Sequence, residues 1–209
     1  MITDIPVGSV LRRNWREAEL ACFLPSIIRK QKEKAMNKIA KFEKISEKQL
    51  YTDADLFLSG VALTDDFGAT CELLNYMLEK TPMPKRATTG SAGYDIYSPV
   101  SRYVKAGETF TIPTGLRCHI EDGWFLMILP RSGLGFRYGM RLVNTAPVID
   151  ADYVHAENEG HIILKFVTNK DFIIKEGDRI AQGIFLPYGV TEDDRAEGER
   201  SGGFGSTGV

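Results

Sequence analysis

Cysteine is scarce in this chain: three among 209 residues, at Cys22, Cys71 and Cys118, with no CxxC spacing. An odd, scattered set excludes a disulfide framework and a cysteine-based zinc site, and fits a reducing cytoplasm. Histidine also numbers three, too few and too dispersed for a His/Cys ligand cluster. No apolar run approaches the roughly 18 residues a membrane span needs. The N-terminus lacks the basic-then-apolar layout of a secretory signal. A formal net charge of -2 exerts no global pull toward nucleic acid. What remains is a soluble chain long enough to bury a real core, as one domain or one domain with an appendage.

The first 80 residues read as helical. Asn14 with Glu17 resembles a capping box that opens a helix through Leu24, Pro25 interrupts it, and Ser26 can cap a second. From Arg29 to Lys48 eight Lys/Arg stand against three Glu. Because Glu33, Glu43 and Glu47 interleave, this reads as a solvated helix face rather than a basic arm. Met36 could serve as an alternative start, which would make residues 1–35 optional. Ser46 with Gln49 resembles another cap, and Phe67, Cys71, Leu74 and Leu78 form a stripe at helical spacing. The breaker cluster at residues 81–84 marks a domain boundary. Beyond it come short β-like runs at 94–97, 108–112, 116–120, 124–129, 162–167 and 180–186, separated by turn signals. Ile162, Leu164 and Phe166 share one face while Lys165 takes the other. This pattern predicts an all-β sandwich or barrel with a helical N-terminal extension.

The densest chemistry lies between Pro130 and Tyr153. Pro130 stops an apolar run, so Arg131-Ser132-Gly133 should leave the sheet as a turn. A guanidinium fork, a hydroxyl and a close-approaching main chain suit a phosphate oxygen, and they also make an ordinary surface turn. Further on, strand alternation would send Asp150 and Asp152 to one face, either as a polar strand end or as a pair able to hold a metal or orient a water. The last nine residues hold four glycines and one aromatic. They compose either a disordered tail or a flap whose amides wrap an anion while Phe204 stacks on a planar ring.

Five separated motifs coincide: Ala92-Gly-Tyr-Asp-Ile96, Pro130-Arg-Ser-Gly-Leu-Gly135, Val148-Ile-Asp-Ala-Asp-Tyr153, Arg179-Ile-Ala-Gln182 and Arg200-Ser-Gly-Gly-Phe-Gly-Ser-Thr-Gly208. In this order across residues 84–209 the chain resembles the trimeric dUTP pyrophosphatase (dUTPase) family. The resemblance implies a distorted jelly-roll subunit of the β-clip type over 84–209 with a flexible arm at 198–209, a helical extension over 1–83, and a homotrimer with active sites shared between chains. It implies hydrolysis of dUTP to dUMP and pyrophosphate, which limits uracil in DNA and supplies dUMP.

By the same resemblance Asp150 is the base that orients water on the α-phosphorus, and Tyr153 packs on the deoxyribose. Asn144 contacts uracil together with main chain near Ile163, and Val148 and Ile149 join the substrate contacts. Arg131, Ser132 and Gly133 meet the phosphates. Gln182 touches the phosphate region or the water, and Asp95 supports the site. Arg200, Phe204 and Gly205 belong to the closing arm. Mg²⁺ is held mainly by the triphosphate and water, with no protein metal ligand.

Three departures stand out. The segment from Tyr153 to Gly160 is longer than the family's usual spacing and reads as a bulged hairpin tip flanked by a solvent-facing pair, His155 and His161. Arg200 stands one residue nearer to Phe204 than in many members. The helical extension has no counterpart in the minimal pattern. The related dCTP deaminase, or its bifunctional form, is a rival, but its deamination needs a Glu where this chain has Lys165. A role of another class is repressor binding, known among phage members, with the N-terminal helices as the contact for a protein partner.

Overall fold

The computed structural model describes residues 37–59, 66–198 and 202. The order is β1 (Ala40–Lys44), α1 (Glu47–Thr52), α2 (Ala54–Leu58), α3 (Phe67–Lys80), β2 (Lys85–Arg86), β3 (Tyr94–Tyr97), β4 (Arg102–Val104), β5 (Thr109–Pro113), β6 (Leu116–Ile120) and β7 (Trp124–Pro130). Then follow α4 (Ser132–Tyr138), β8 (Arg141–Leu142), β9 (Val148–Ile149), a 3-10 turn (Ala151–His155), β10 (Ile163–Val167), β11 (Phe172–Ile174) and β12 (Arg179–Pro187). Strands β2-β3-β12-β7-β9 make the largest sheet, β5-β10-β8 a second, and β1-β6 and β11-β4 two ribbons. All pairings are antiparallel. The body is mostly β-sheet with a few helices, as the turn-punctuated strand pattern predicts.

Alternation sets which side chains enter the core. Leu126 and Ile128 of β7 and Leu164 and Phe166 of β10 are buried and meet Ile96, Ile112 and Ile180 in one cluster. Lys165, between two of them, is exposed, as its position in the alternation requires. A smaller cluster gathers Leu50, Phe57, Leu74 and Leu78 with Ile45 and Val100. Each such Leu or Phe is worth about 1.5–3 kcal/mol when fully buried, so this patch holds α1–α3 firmly.

The expectation of helix throughout the first 80 residues fails at β1. Residues 40–44 pair with β6 over five positions, from Ala40 opposite Ile120 to Lys44 opposite Leu116. Two long-range terms outweigh the local helical composition. Phe42 packs on Tyr94 and Phe185, and Glu43 meets Arg117 at 3.1 Å and His119 at 2.9 Å. Strand preference is decided by such cross-strand neighbours more than by propensity.

Ser46 caps α1 as expected, its Oγ accepting the Gln49 N–H at 3.2 Å. The stripe on α3 is buried only in its second half. Leu74 and Leu78 are covered together with Met77, whereas Phe67 is exposed and Cys71 half-buried. Residues 81–84 end α3, yet packing continues across them: the compact unit begins at Ile39, and Lys44 Nζ donates to the Thr81 carbonyl at 2.6 Å. Burial there pushes the Lys44 ammonium down to about 8. The readings at Asn14, Glu17, Leu24, Pro25, Ser26 and Met36 lie outside the described residues.

Candidate active site

Pro130 is the last residue of β7, and Arg131 is the N-cap of α4. Arg131-Ser132-Gly133 is therefore a strand-to-helix corner rather than a free turn. Its helical first turn leaves N–H groups of the corner without helical acceptors. Ser132 and Gly133 are exposed there.

Arg131 is held from below by Asp95, whose carboxylate is almost wholly buried. The Arg131 guanidinium reaches Asp95 Oδ1 at 2.5 Å, and Arg179 reaches Oδ2 at 3.3 Å. One carboxylate between two guanidiniums fixes both cations and leaves the pair net positive. Gln182 lies directly opposite Asp95 on β3 and opposite Leu129 on β7, and its amide donates to the Pro130 carbonyl at 3.4 Å. A Cβ on Gly93 would stand 2.6 Å from Gln182 Oε1, so the glycine makes room for that side chain.

Arg179 is the residue that motif reading left out of the site. Gln182 pairs with Asp95 and Ala181 with Ile96, but Arg179 rather than Ile180 pairs with Tyr97. This one-residue bulge turns Arg179 to the face of Asp95, which regular alternation would deny it. A cavity of about 380 Å³ opens beside the pair, lined by Arg131, Arg137 and Arg179 with Gly133, Tyr138 and Asp178 among others. Three arginines around one space suit a polyanion.

The remaining motif residues lie elsewhere. Asp150 is half-buried at the start of the 3-10 turn, so strand alternation does not govern Asp150 and Asp152: the strand ends at Ile149, before either of them. The expectation that both share a face is corrected by this. Val148 is exposed on β9, while the Ile149 side chain is in the core, leaving only its main chain for a ligand. Tyr153 is buried, with its hydroxyl donating to the His161 carbonyl at 3.1 Å and accepting from Asn158 Nδ2 at 2.9 Å.

Asn144 is exposed just past β8. Thr114 N–H bonds the Ile162 carbonyl, and Val143 N–H bonds the Lys165 carbonyl at 2.9 Å. By antiparallel alternation the N–H and C=O of Ile163 therefore point toward the β8 side, beyond the end of β8 at Leu142. Thr145, next to Asn144, has φ 65, a strained conformation for a β-branched residue that tends to occur at ligand sites.

The register also measures how far apart these groups are. Ile149 pairs with Leu126, which puts Asp150 at the level of Phe125, five residues along β7 from Pro130. That is about 17 Å of strand. One chain thus brings together Asp95, Arg131 and Gln182, and separately Asn144 and Ile163, but keeps the Asp150 level away from the arginines. Arg200, Phe204 and Gly205 lie outside the described residues.

Two expectations about the loop change. Residues 154–160 form no hairpin tip, because β9 pairs with β7 while β10 pairs with β5 and β8. The loop is the 3-10 turn followed by a tight turn through Glu159 (φ 56) and Gly160 (φ 73). His155 is exposed, but His161 is fully buried, with Nδ1 2.6 Å from Asp53 Oδ2. Among the described residues no group of three or more His, Cys, Asp or Glu could hold a metal ion.

A family model described as dUTPase matches residues 79–208. The deoxyuridine 5'-triphosphate nucleotidohydrolase of Lactococcus lactis subsp. lactis is 40% identical over 132 residues, covering 61% of this chain and 88% of that protein. The protein of the same name from Paramecium bursaria Chlorella virus 1 is 40% identical over 145 residues, covering 66% and 97%. Among solved structures, a dUTPase from Streptococcus mutans superposes with a TM-score of 0.52 at 28% identity, over 72% of this chain and 98% of that one.

Proposed function

This chain belongs to the dUTPase family and is a dUTP diphosphatase, and we propose that it cleaves its substrate with a water aimed by Asp150, in sites assembled from more than one copy of the chain. The observation that carries the proposal is the separation of about 17 Å along β7 between the level of Asp150 and the Asp95–Arg131–Arg179 cluster. A carboxylate that far from the phosphate-binding cations serves them only when another subunit supplies one half. A homotrimer, as in the family pattern, meets that need.

Attack at an α-phosphorus needs an oriented water, neutralised phosphate charge and no covalent nucleophile. Asp150 orients the water and takes up its proton as the P–O bond forms, and pyrophosphate leaves. Arg131, with Ser132, Gly133 and Gln182, binds the phosphate chain, and Asp95 keeps the Arg131 fork aimed. Asn144 and the outward-facing main chain of Ile163 read the uracil edge. Cytosine presents a donor where uracil presents an acceptor, and each buried polar group left unpaired costs about 1–3 kcal/mol. Tyr153 is the wall against C2' of the sugar. Arg200, Phe204 and Gly205 close over the bound nucleotide.

Among the described residues no group of three or more His, Cys, Asp or Glu stands ready to hold a metal ion by itself. Mg²⁺ enters chelated by the triphosphate and is part of the substrate. No helix among the described residues is long and apolar enough to cross a membrane, and the scarcity of cysteine supports the cytoplasm as the working compartment. Lys165, exposed on β10, occupies the position where a deaminase would carry its Glu, in keeping with hydrolysis as the activity.

Pyrophosphate release measured with dUTP, UTP, dTTP and dCTP tests the reading, with dUTP expected to be strongly preferred. Asp150→Asn should still bind dUTP and lose at least about a hundredfold in kcat. A near-normal kcat in that variant would remove Asp150 from the role of base.

A further inference from the structure

The segment before the family-matched region is wired to the sugar-binding wall through one buried histidine. His161 Nε2 accepts the Gly115 N–H at 3.0 Å, so Nδ1 carries the proton and donates it to Asp53 Oδ2 at 2.6 Å. Asp53, between α1 and α2, also receives Gln49 Nε2 at 2.7 Å. Phe57 of α2 stacks on the imidazole, 5.9 Å between centroids and 14° between planes. The imidazole of His161 is thereby fixed in orientation by Asp53, Gly115 and Phe57, with Gln49 bracing Asp53, and none of the four belongs to the five motifs.

The main chain of the same residue holds Tyr153. The His161 carbonyl accepts the Tyr153 hydroxyl at 3.1 Å and Asn158 Nδ2 at 3.4 Å. Gly160, next to it, lies so close that a Cβ there would stand 2.7 Å from the Tyr153 carbonyl and from Val154 Cα. Glu159 ties the same turn to the start of α1, accepting Ser46 N–H at 3.0 Å and Ser46 Oγ–H at 2.5 Å. The longer loop after Tyr153 and the α1–α2 segment are therefore one contact surface.

We propose that Asp53 and His161 are positioning residues for Tyr153, so that the α1–α2 segment sets how strictly this enzyme refuses a ribose. The inference rests on the reading of Tyr153 as the wall against C2'. Exclusion of a hydroxyl by an aromatic face depends on displacements of well under an ångström. A wall anchored at its hydroxyl to the His161 carbonyl is only as rigid as His161. Asp53 lies outside the region matched by the family model, which makes this an attachment particular to chains carrying such a segment.

The test compares kcat/KM for dUTP and UTP in the full chain, with melting temperature recorded for each variant. Asp53→Ala should lower the dUTP/UTP ratio about tenfold, mainly by a gain on UTP. Asp53→Asn, which keeps an acceptor oxygen for Nδ1–H, should restore most of the ratio. A lower melting temperature with an unchanged ratio in Asp53→Ala would reduce the pair to a structural role and overturn the proposal. Should Asp53→Ala not fold, Tyr153→Phe removes only the hydroxyl anchor and leaves the Asp53–His161 pair in place. An unchanged ratio there overturns the proposal equally. Tyr153→Ala separates the two levels: if it collapses the ratio while Asp53→Ala and Tyr153→Phe do not, only this inference fails. If it too leaves the ratio intact, the reading of Tyr153 itself is wrong, and the inference falls with it.

Discussion

A carboxylate shared by two arginines makes unequal demands on its partners. Asp95 is almost wholly buried, Arg131 is mostly covered, and Arg179 is about half exposed at a longer 3.3 Å. Exposed pairs contribute little, about 0–1 kcal/mol. Arg179→Ala should therefore change stability by less than about 1 kcal/mol while weakening nucleotide binding through loss of positive charge on the cavity wall. Asp95→Ala should cost more in both respects, because it leaves two guanidiniums facing each other and frees the Arg131 fork. Thermal melts combined with KM for dUTP check the pair. Equal destabilisation by the two substitutions would mean that Arg179 is as much a structural partner as Arg131. At this scale the grouping of Asp95, Arg131 and Gln182 is legible from sequence and their neighbours are not. Asp95, Arg131 and Gln182 carry the resemblance, but Arg179 reaches Asp95 only through a backbone bulge, which leaves no mark in residue types. His161, expected at the solvent surface, is buried for a similar reason: its partner Asp53 is 108 positions away.

Strands and helices were legible wherever the alternation was framed by turns. Residues 94–97 and 116–120 coincide with β3 and β6, and the edges of β5, β7, β10 and β12 fall within a residue or so of their expected places. The two-residue strands β2, β8 and β9 exist only as partners of longer ones, so no local period announces them. β1 is the instructive miss, since the charges that read as a helix face are spent across a strand pair. Those charges also make the attachment of β1 and α1 sensitive to acid. Hydrogen bonds from Lys41 and His119 draw Glu43 down to about 2 from an ordinary 4.5. The Ser46 hydroxyl, against some opposing burial, holds Glu159 below its ordinary value. Burial pushes Asp53 up, but His161 and Gln49 together outweigh it and hold the carboxyl low. A carboxylate with a depressed folded pKa lends stability above its unfolded value and loses it as pH falls through the folded one. The attachment should accordingly loosen between about pH 4.5 and 2. Amide exchange in β1 and α1 should accelerate in that window before exchange in β7 and β12 does. Glu43→Gln with Glu159→Gln should flatten the dependence, and a double variant as acid-sensitive as the parent would place the transition elsewhere.

At the scale of the whole molecule, the five-stranded sheet is the feature from which the proposal of shared sites starts. β7 carries Arg131 at one end and, through β9, Asp150 near the other, and no local rearrangement shortens a hydrogen-bonded strand. Exposed apolar residues on the same stretch, Phe136 on α4 and Val143 and Val148 flanking Asn144, are a cost to a lone subunit and an asset to an assembled one. Shared sites make a quantitative prediction for mixed assemblies. Let Arg131→Ala and Asp150→Asn each abolish activity, and let the two variants be refolded or co-expressed together in equal amounts. In a closed ring each site takes Arg131 from one chain and Asp150 from a neighbour, so about one site in four receives both intact residues. Activity should return to about a quarter of the parent value on mixing, while each variant alone stays inactive. If both residues served a single chain's own site, every mixed assembly would remain dead. Failure of the mixture to recover, with exchange of subunits demonstrated by mass, would refute shared sites and assign Arg131 and Asp150 to one chain's own site.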